Sequence, residues 1–500
     1  MRNLRDSAVV IVFLSLGCAT ALAKTDASPR KVSVLDKHEV EPVVGSKGAQ
    51  VEHHIAKEPH KEAPKEAPKP SLADWLKAHA PSGATVVTRD GIPHVQHTVK
   101  SGDTYRSIAK SYLDLSTVYL ADDYAMEIKR SLNDKYRGID APLRQEVTID
   151  LPALLTEVPK TGDDARLGWP KDQSLRGLYV RGSTAAGKLY HHILENMAAR
   201  DYNAIVLDLR DYDGPITFPS RTSLATETKA TKGAPIRDLA RTIRFAHEKG
   251  IRVIARIACF EDELMAKAKT DLSVRGKSGG VYRIGWLDPN NETAQNYVID
   301  LAKEAMDAGA DEVELDYVRY PVLGIKNADF RLEEKKLTKI DVIRNFVRRV
   351  HDVTSARKVP LSLDVFGVVA HGQRSDIEAL GQDPAVLAKE CEALSPMVYP
   401  SHYNKGFMGF EEPGDHPEIV GFGTKKTIEQ LGENKNETIV RPWLQAVSWK
   451  SPTYSPSHLR AQMDAAEKNG GKGWLLWNPS QNYGYAWQAR AVKKKESAGH

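Results

Sequence analysis

Cysteine is nearly absent: three in 500 residues. One, Cys18, falls in the N-terminal leader, leaving Cys259 and Cys391, too few for a disulfide scaffold. Both lie in or beside strand-like runs, where buried free thiols are expected. No apolar run is long enough to span a bilayer; Ala8 to Leu16 is the longest near the N-terminus, and it is too short. Charge of one sign is also missing. The formal net charge of +4 is small for this length, and many lysines fall in a proline-rich stretch, so no nucleic-acid footprint is present. No glycine-rich phosphate loop follows the first barrel-like strand, and no Gly-x-Ser-x-Gly elbow occurs. No metal-ligand spacing stands out. His191 and His192 are consecutive, so on a helix they point about 100° apart and would not chelate together. Neither cofactor nor metal is expected.

The chain divides by composition. Arg2, Arg5, the apolar run and Ala21-Leu-Ala23 have the layout of a cleaved secretory signal, 1–23, which predicts export to the periplasm, cell envelope or exterior. Cys18 gives only a loose lipoprotein pattern. Residues 24–70 form a polar spacer of proline-separated Lys and Glu that cannot bury a core, and its His53, His54 and His60 are expected to be solvated. From 71 to 160 a small α+β unit is expected, opening on a helix capped by Ser71. Beyond about Arg176, strands alternate with helices, the signature of βα units. Eight strand candidates follow, at 177–181, 204–209, 252–257, 312–316, 361–364, 394–398, 438–443 and 473–477. Over 176–490 they fit a (β/α)8 TIM barrel; an open doubly wound sheet is the alternative.

The organising stretch is Asp311-Glu-Val-Glu-Leu-Asp-Tyr-Val-Arg-Tyr-Pro321. Strand alternation sends Val313 and Leu315 one way and Glu314 and Asp316 the other. Catalytic groups of such barrels gather at the C-terminal strand ends. Polar residues recur there on strand after strand: Arg181, Asp208, Arg210, Asp211, Arg256, Glu261, Asp316, Arg319, Asp364, Tyr399, Ser401, His402, Arg441, Gln445 and Asn478. Asp316 and Asp364 end adjacent strands, and glycosidic hydrolysis needs such a pair, one protonated carboxyl and one carboxylate. Glu314 is the rival partner. Taken singly, each aspartate also fits a helix cap or an arginine partner. Trp286, Trp443, Trp449, Trp474, Trp477 and Trp487 fall in the barrel half, and a groove edged with such aromatic faces would hold a sugar chain; Trp443 and Trp477 at strand ends are the better platforms, while Trp474 is expected to pack between barrel and helices.

Two resemblances add to this. The run His97-Thr-Val-Lys-Ser-Gly-Asp-Thr-Tyr and the later Val147-Thr-Ile-Asp-Leu-Pro152 resemble a LysM module, a βααβ unit that binds N-acetylglucosamine-containing glycans such as peptidoglycan or chitin. Its middle, 111–145, is longer than the family pattern and has no clear counterpart of its central asparagine, so docking onto the next domain stands beside glycan binding as its role. From about 176 to 486 the chain resembles a bacterial glycosyl hydrolase domain family related to α-amylase-like barrels. The matching residues are Gly177-Leu-Tyr-Val, Asn203-Ala-Ile-Val-Leu-Asp-Leu-Arg-Asp, Ala255-Arg-Ile-Ala-Cys-Phe, Glu314-Leu-Asp-Tyr-Val-Arg-Tyr-Pro, Ser362-Leu-Asp-Val-Phe-Gly and Ser395-Pro-Met-Val-Tyr-Pro-Ser-His-Tyr.

The resemblance implies Asp316 as nucleophile or base and Asp364 as acid. That acid is usually glutamate in such relatives, and Glu261, Glu411 and Glu412 are alternatives. Arg181, Asp208, Arg256, Arg319, Tyr399, His402, Trp443 and Trp477 would position a cell-envelope or extracellular polysaccharide. A non-catalytic glycan-binding envelope protein is the competing expectation.

Overall fold

The computed structural model describes residues 70–491; the expected signal, most of the spacer and the spacer histidines lie outside them. Eight parallel strands close into a barrel: Leu175–Val180, Ala204–Arg210, Arg252–Ala258, Glu312–Asp316, Leu361–Phe366, Ala393–Met397, Ile439–Val440 with Trp443–Gln445, and Gly473–Trp477. The eighth pairs with the first and the fifth with the sixth, so no edge is left open. This is a (β/α)8 TIM barrel. Each strand is buried along nearly its whole length, which is why these stretches read as Val, Ile and Leu runs. The seventh is interrupted at Arg441-Pro442, where proline has no N–H for the ladder.

Helices return the chain between strands and start on residues that satisfy their free N–H groups. Asn291 caps Glu292–Asp307, Thr338 forms a capping box for Lys339–Ser355, and Ser455 caps Pro456–Lys468. Val313 and Leu315 join the apolar layer between strands and helices, together with Trp474, which is fully buried. The barrel interior is of two kinds. Leu175, Tyr179, Ala204, Val206, Ile254, Tyr399, Trp443 and Leu475 form an apolar inner cluster. The fourth strand instead sends Glu312, Glu314 and Asp316 inward, and the fifth sends in Ser362 and Asp364.

At the N-terminal end the barrel is plugged. Glu312 is ion-paired with Arg441, both wholly buried, and accepts from Trp169 Nε1 at 2.6 Å. Asp311 accepts from the backbone N–H of Leu167 and Gly168 at 2.6 and 2.9 Å. Arg441 therefore belongs to this lower layer and not to the C-terminal face where the strand pattern puts it.

Residues 71–160 carry a helix Leu72–His79 and an antiparallel three-stranded sheet, Ala84–Arg89, Ile92–Thr98 and Thr148–Asp150. Between the last two strands come helices Tyr105–Tyr112 and Ala121–Ser131. Asp103 accepts from His97 and from Lys100 N, closing the Gly-Asp turn. This unit packs on the barrel's outer helix Leu239–His247, where the Arg241 guanidinium lies over Tyr119 at 5.3 Å and donates to its carbonyl at 2.8 Å. Cys259 and Cys391 are free and buried. Among the described residues no helix is long and apolar enough to cross a membrane.

Candidate active site

The fourth strand stops at Asp316 because the chain turns sharply there: Tyr317 has φ +50°, a left-handed conformation costly for an aromatic residue. That turn brings Tyr317 N within 2.6 Å of Asp316 Oδ1. Arg256, from the third strand, donates to Asp316 Oδ2 through Nε at 3.1 Å and Nη2 at 2.6 Å. Both carboxylate oxygens are thus engaged, with positive charge placed against one of them. The same guanidinium reaches Asp208 Oδ1 at 2.5 Å and Asp211 Oδ1 at 3.4 Å, so strands two, three and four are joined by one buried arginine. Tyr179 OH donates to Asp208 Oδ2 at 2.7 Å. Burial, more than its neighbours' charges, pushes the Asp208 carboxyl up to about 6.

Asp364 is 1% exposed. Trp443 Nε1 donates to its Oδ1 at 2.6 Å, and its Oδ2 has no hydrogen-bond partner. Burial first, then the nearby charges of Glu314 and Asp316, raises its pKa well above the usual carboxylate range. Glu314, one step deeper, accepts from Ser395 Oγ at 3.3 Å and is pushed up to about 8, mainly by burial. Two carboxyls shifted upward by burial therefore lie next to Asp316: Glu314 one step deeper on its own strand, and Asp364 at its level on the fifth.

Glu261, three residues beyond the third strand, differs from both. Its side chain keeps 25% of its surface open, and Arg319 Nη2 lies 3.9 Å away. Burial raises it to about 7, Arg319 opposes that rise, and Asp316 adds to it. An isolated bridge to Trp286 folds its loop back over the barrel mouth.

The remaining expected residues fall into three groups. Asp208, Arg256 and Arg319 surround the carboxylates. Arg319 is 8% exposed and wedged 4.5 Å over Phe366 and 4.8 Å over Trp286, with its Nη2 toward Glu261, so little of it is open to a ligand. Tyr399, His402 and Trp477 form a wall: Tyr399 lies 5.5 Å from Trp477 and 4.9 Å from His402. Burial lowers His402 to about 4, so its ring is neutral at neutral pH. Arg181 stays exposed at the rim, its backbone N–H bonded to Gln481 at 3.0 Å.

Trp443 is a correction. It was expected as a sugar platform, but it is 2% exposed inside the barrel, because the strand resuming after Pro442 turns this indole inward onto Asp364. Glu411 and Glu412 are exposed, Glu411 paired with Lys405. Among the described residues no group of three or more His, Cys, Asp or Glu is placed to hold a metal.

Comparison with known proteins gives a family for this barrel. Residues 177–483 match the family described as "Putative glycosyl hydrolase domain", well over half of the chain, and the chain belongs to that family. No curated protein matches. Solved structures similar to the chain include a hypothetical protein from Ruminiclostridium thermocellum ATCC 27405, 30% identical, covering 38% of this chain and 97% of that one at a TM-score of 0.34. The spore cortex-lytic enzyme SleL of Bacillus megaterium QM B1551 is 12% identical over 84% of this chain and 94% of its own, with a TM-score of 0.38. The α-galactosidase TtGalA of Thermus thermophilus is 16% identical over 85% of each chain, with a TM-score of 0.40.

Proposed function

We propose that this member of the glycosyl hydrolase domain family is an exported glycoside hydrolase that cleaves a cell-envelope or extracellular polysaccharide through two carboxyl groups. The observation that carries the reading is the contrast between two acids at the barrel mouth. Asp316 accepts hydrogen bonds on both oxygens, two of them from Arg256, whereas Glu261 is half-buried and raised to about 7. A carboxyl raised by burial to about 7 is suited to give up a proton in the reaction.

In this reading Asp316 attacks the anomeric carbon, or takes the proton of an attacking water, while Glu261 gives its proton to the leaving glycosidic oxygen. Arg256 holds the Asp316 carboxyl in place through two hydrogen bonds. Asp364, expected as the acid, is sealed under the mouth at 1% exposure, so a glycosidic oxygen does not reach it without rearrangement. Burial and the nearby charges of Glu314 and Asp316 shift its pKa upward, and Trp443 Nε1 holds its Oδ1. Tyr399, His402 and Trp477 position the sugar. The LysM-like unit at 71–160 would hold the enzyme near an N-acetylglucosamine-containing polymer such as peptidoglycan.

The test is mass-spectrometric analysis of soluble products after incubation with peptidoglycan, chitin and soluble exopolysaccharides. Shortened glycans with new reducing ends support hydrolysis. Retention on a polymer without shortening supports the alternative, a glycan-binding envelope protein on an inactive barrel.

A further inference from the structure

Trp449 is the exposed tryptophan nearest this site in the chain of ring contacts, with 40% of its surface open. Its indole meets the His402 ring at 5.2 Å, nearly perpendicular, and His402 in turn meets Tyr399 at 4.9 Å. Tyr399 is the residue whose phenol feels the charges of Asp364 and Asp316. A continuous path of rings thus runs from the carboxylates out to an open indole.

The turn carrying Trp449 is also fixed. Gln445 Nε2 donates to the carbonyls of Val447 and Trp449, each at 2.8 Å. Asp415 accepts from Ser451 Oγ at 2.7 Å and from Thr453 N at 3.0 Å, tying the turn to the neighbouring loop. That approach depends on Gly414, where a Cβ would lie 1.7 Å from the Lys450 carbonyl oxygen. Lys450 Nζ stands over one face of the indole, 4.7 Å from the ring centroid, placing a donor beside it.

We infer that Trp449 is a sugar-stacking subsite, binding the apolar C–H face of a pyranose unit that flanks the cleavage point of a polysaccharide chain. A rigid aromatic surface loses little entropy on binding, and sugar rings offer matching flat faces. Lys450 supplies a hydrogen bond to a ring substituent at the same unit. The inference rests on the hydrolase reading for the identity of the ligand, and it extends that ligand from one bond to a chain.

The test uses full-length Asp316→Asn protein, so that ligand is not consumed, with tetrasaccharides from chitin, β-glucan and peptidoglycan. Oxidation of each tryptophan by N-bromosuccinimide is followed by peptide mass mapping, which reports Trp449 separately from any binding at 71–160. The expected result is that one tetrasaccharide slows Trp449 oxidation about tenfold, that Trp449→Ala weakens its binding roughly tenfold, and that Trp449→Phe retains most of it. If the wild type cleaves one of these polymers while its tetrasaccharide leaves Trp449 oxidation unchanged, the subsite is refuted and the hydrolase stands. Protection without cleavage by the wild type would keep the subsite and refute the hydrolase. Neither protection nor cleavage refutes both.

Discussion

Replacing Glu261 by Gln removes a titratable carboxyl from the barrel mouth and changes little else in shape, which makes it the most informative single perturbation of the mechanism. A positioned general acid contributes about 10²–10⁴ in rate, or roughly 3–5 kcal/mol of barrier. The loss of kcat on the polysaccharide should fall in that range. The pH profile is more diagnostic. Burial puts Glu261 at about 7, and the acid must be protonated to act, so wild-type activity declines as pH rises through about 7. Two units higher, roughly one part in a hundred of the acid form remains. Glu261→Gln should lose that alkaline limb altogether. Arg319 opposes the upward shift from 3.9 Å, so Arg319→Met should move the limb to higher pH while leaving Glu261 in place. Initial rates of reducing-end release between pH 4 and 10 read all three proteins. An alkaline limb that survives in Glu261→Gln would refute the assignment and return the acid role to Asp364.

Further outcomes follow from the same structure. Glu312→Leu leaves the wholly buried Arg441 uncompensated and should cost about 3–5 kcal/mol of unfolding free energy in urea, with Glu312→Leu/Arg441→Met recovering a good part of it. His371 and His402 are both lowered by burial from 6.5 to about 4, so the unfolded chain takes up protons before the folded one does. Stability should therefore be lost as pH falls from about 6.5 to 4, by at most ~3 kcal/mol for each ring, and should not depend on pH through these groups above 7. Thermal midpoints of wild type and His371→Gln across that window check it, the variant losing less. Gly177→Ala would drive a Cβ to 2.7 Å from Leu475 Cδ2 in the closure of strands one and eight, and should destabilise by about 1–3 kcal/mol in the same denaturation assay.

The barrel was legible because its strands are buried on both faces and so spell unbroken apolar runs between amphipathic helices. Alternation along 312–316 was enough to turn Glu314 and Asp316 inward and to mark the fourth strand end. Other features depend on contacts distant in sequence. Trp443 sits where the strand pattern predicted a rim residue, yet the break at Arg441-Pro442 changes which layer each neighbour occupies: Arg441 goes to the floor with Glu312, and Trp443 goes inside with Asp364. Glu261 was one of several loop acids until its bridge to Trp286 and its nearness to Arg319 set it apart. Trp449 was one of six tryptophans in the barrel half, and nothing local set it apart, since its turn is shaped by Gln445 from the seventh strand and Asp415 from another loop.

The central claim is that Asp316 acts directly on a glycosidic bond, and the most direct measurement compares reducing-end release by wild type and Asp316→Asn on the polymer the wild type attacks. The account predicts release by the wild type and a loss of at least about 10⁴ in the variant, with the fold intact by circular dichroism. A correctly folded Asp316→Asn protein that releases reducing ends at the wild-type rate would contradict it.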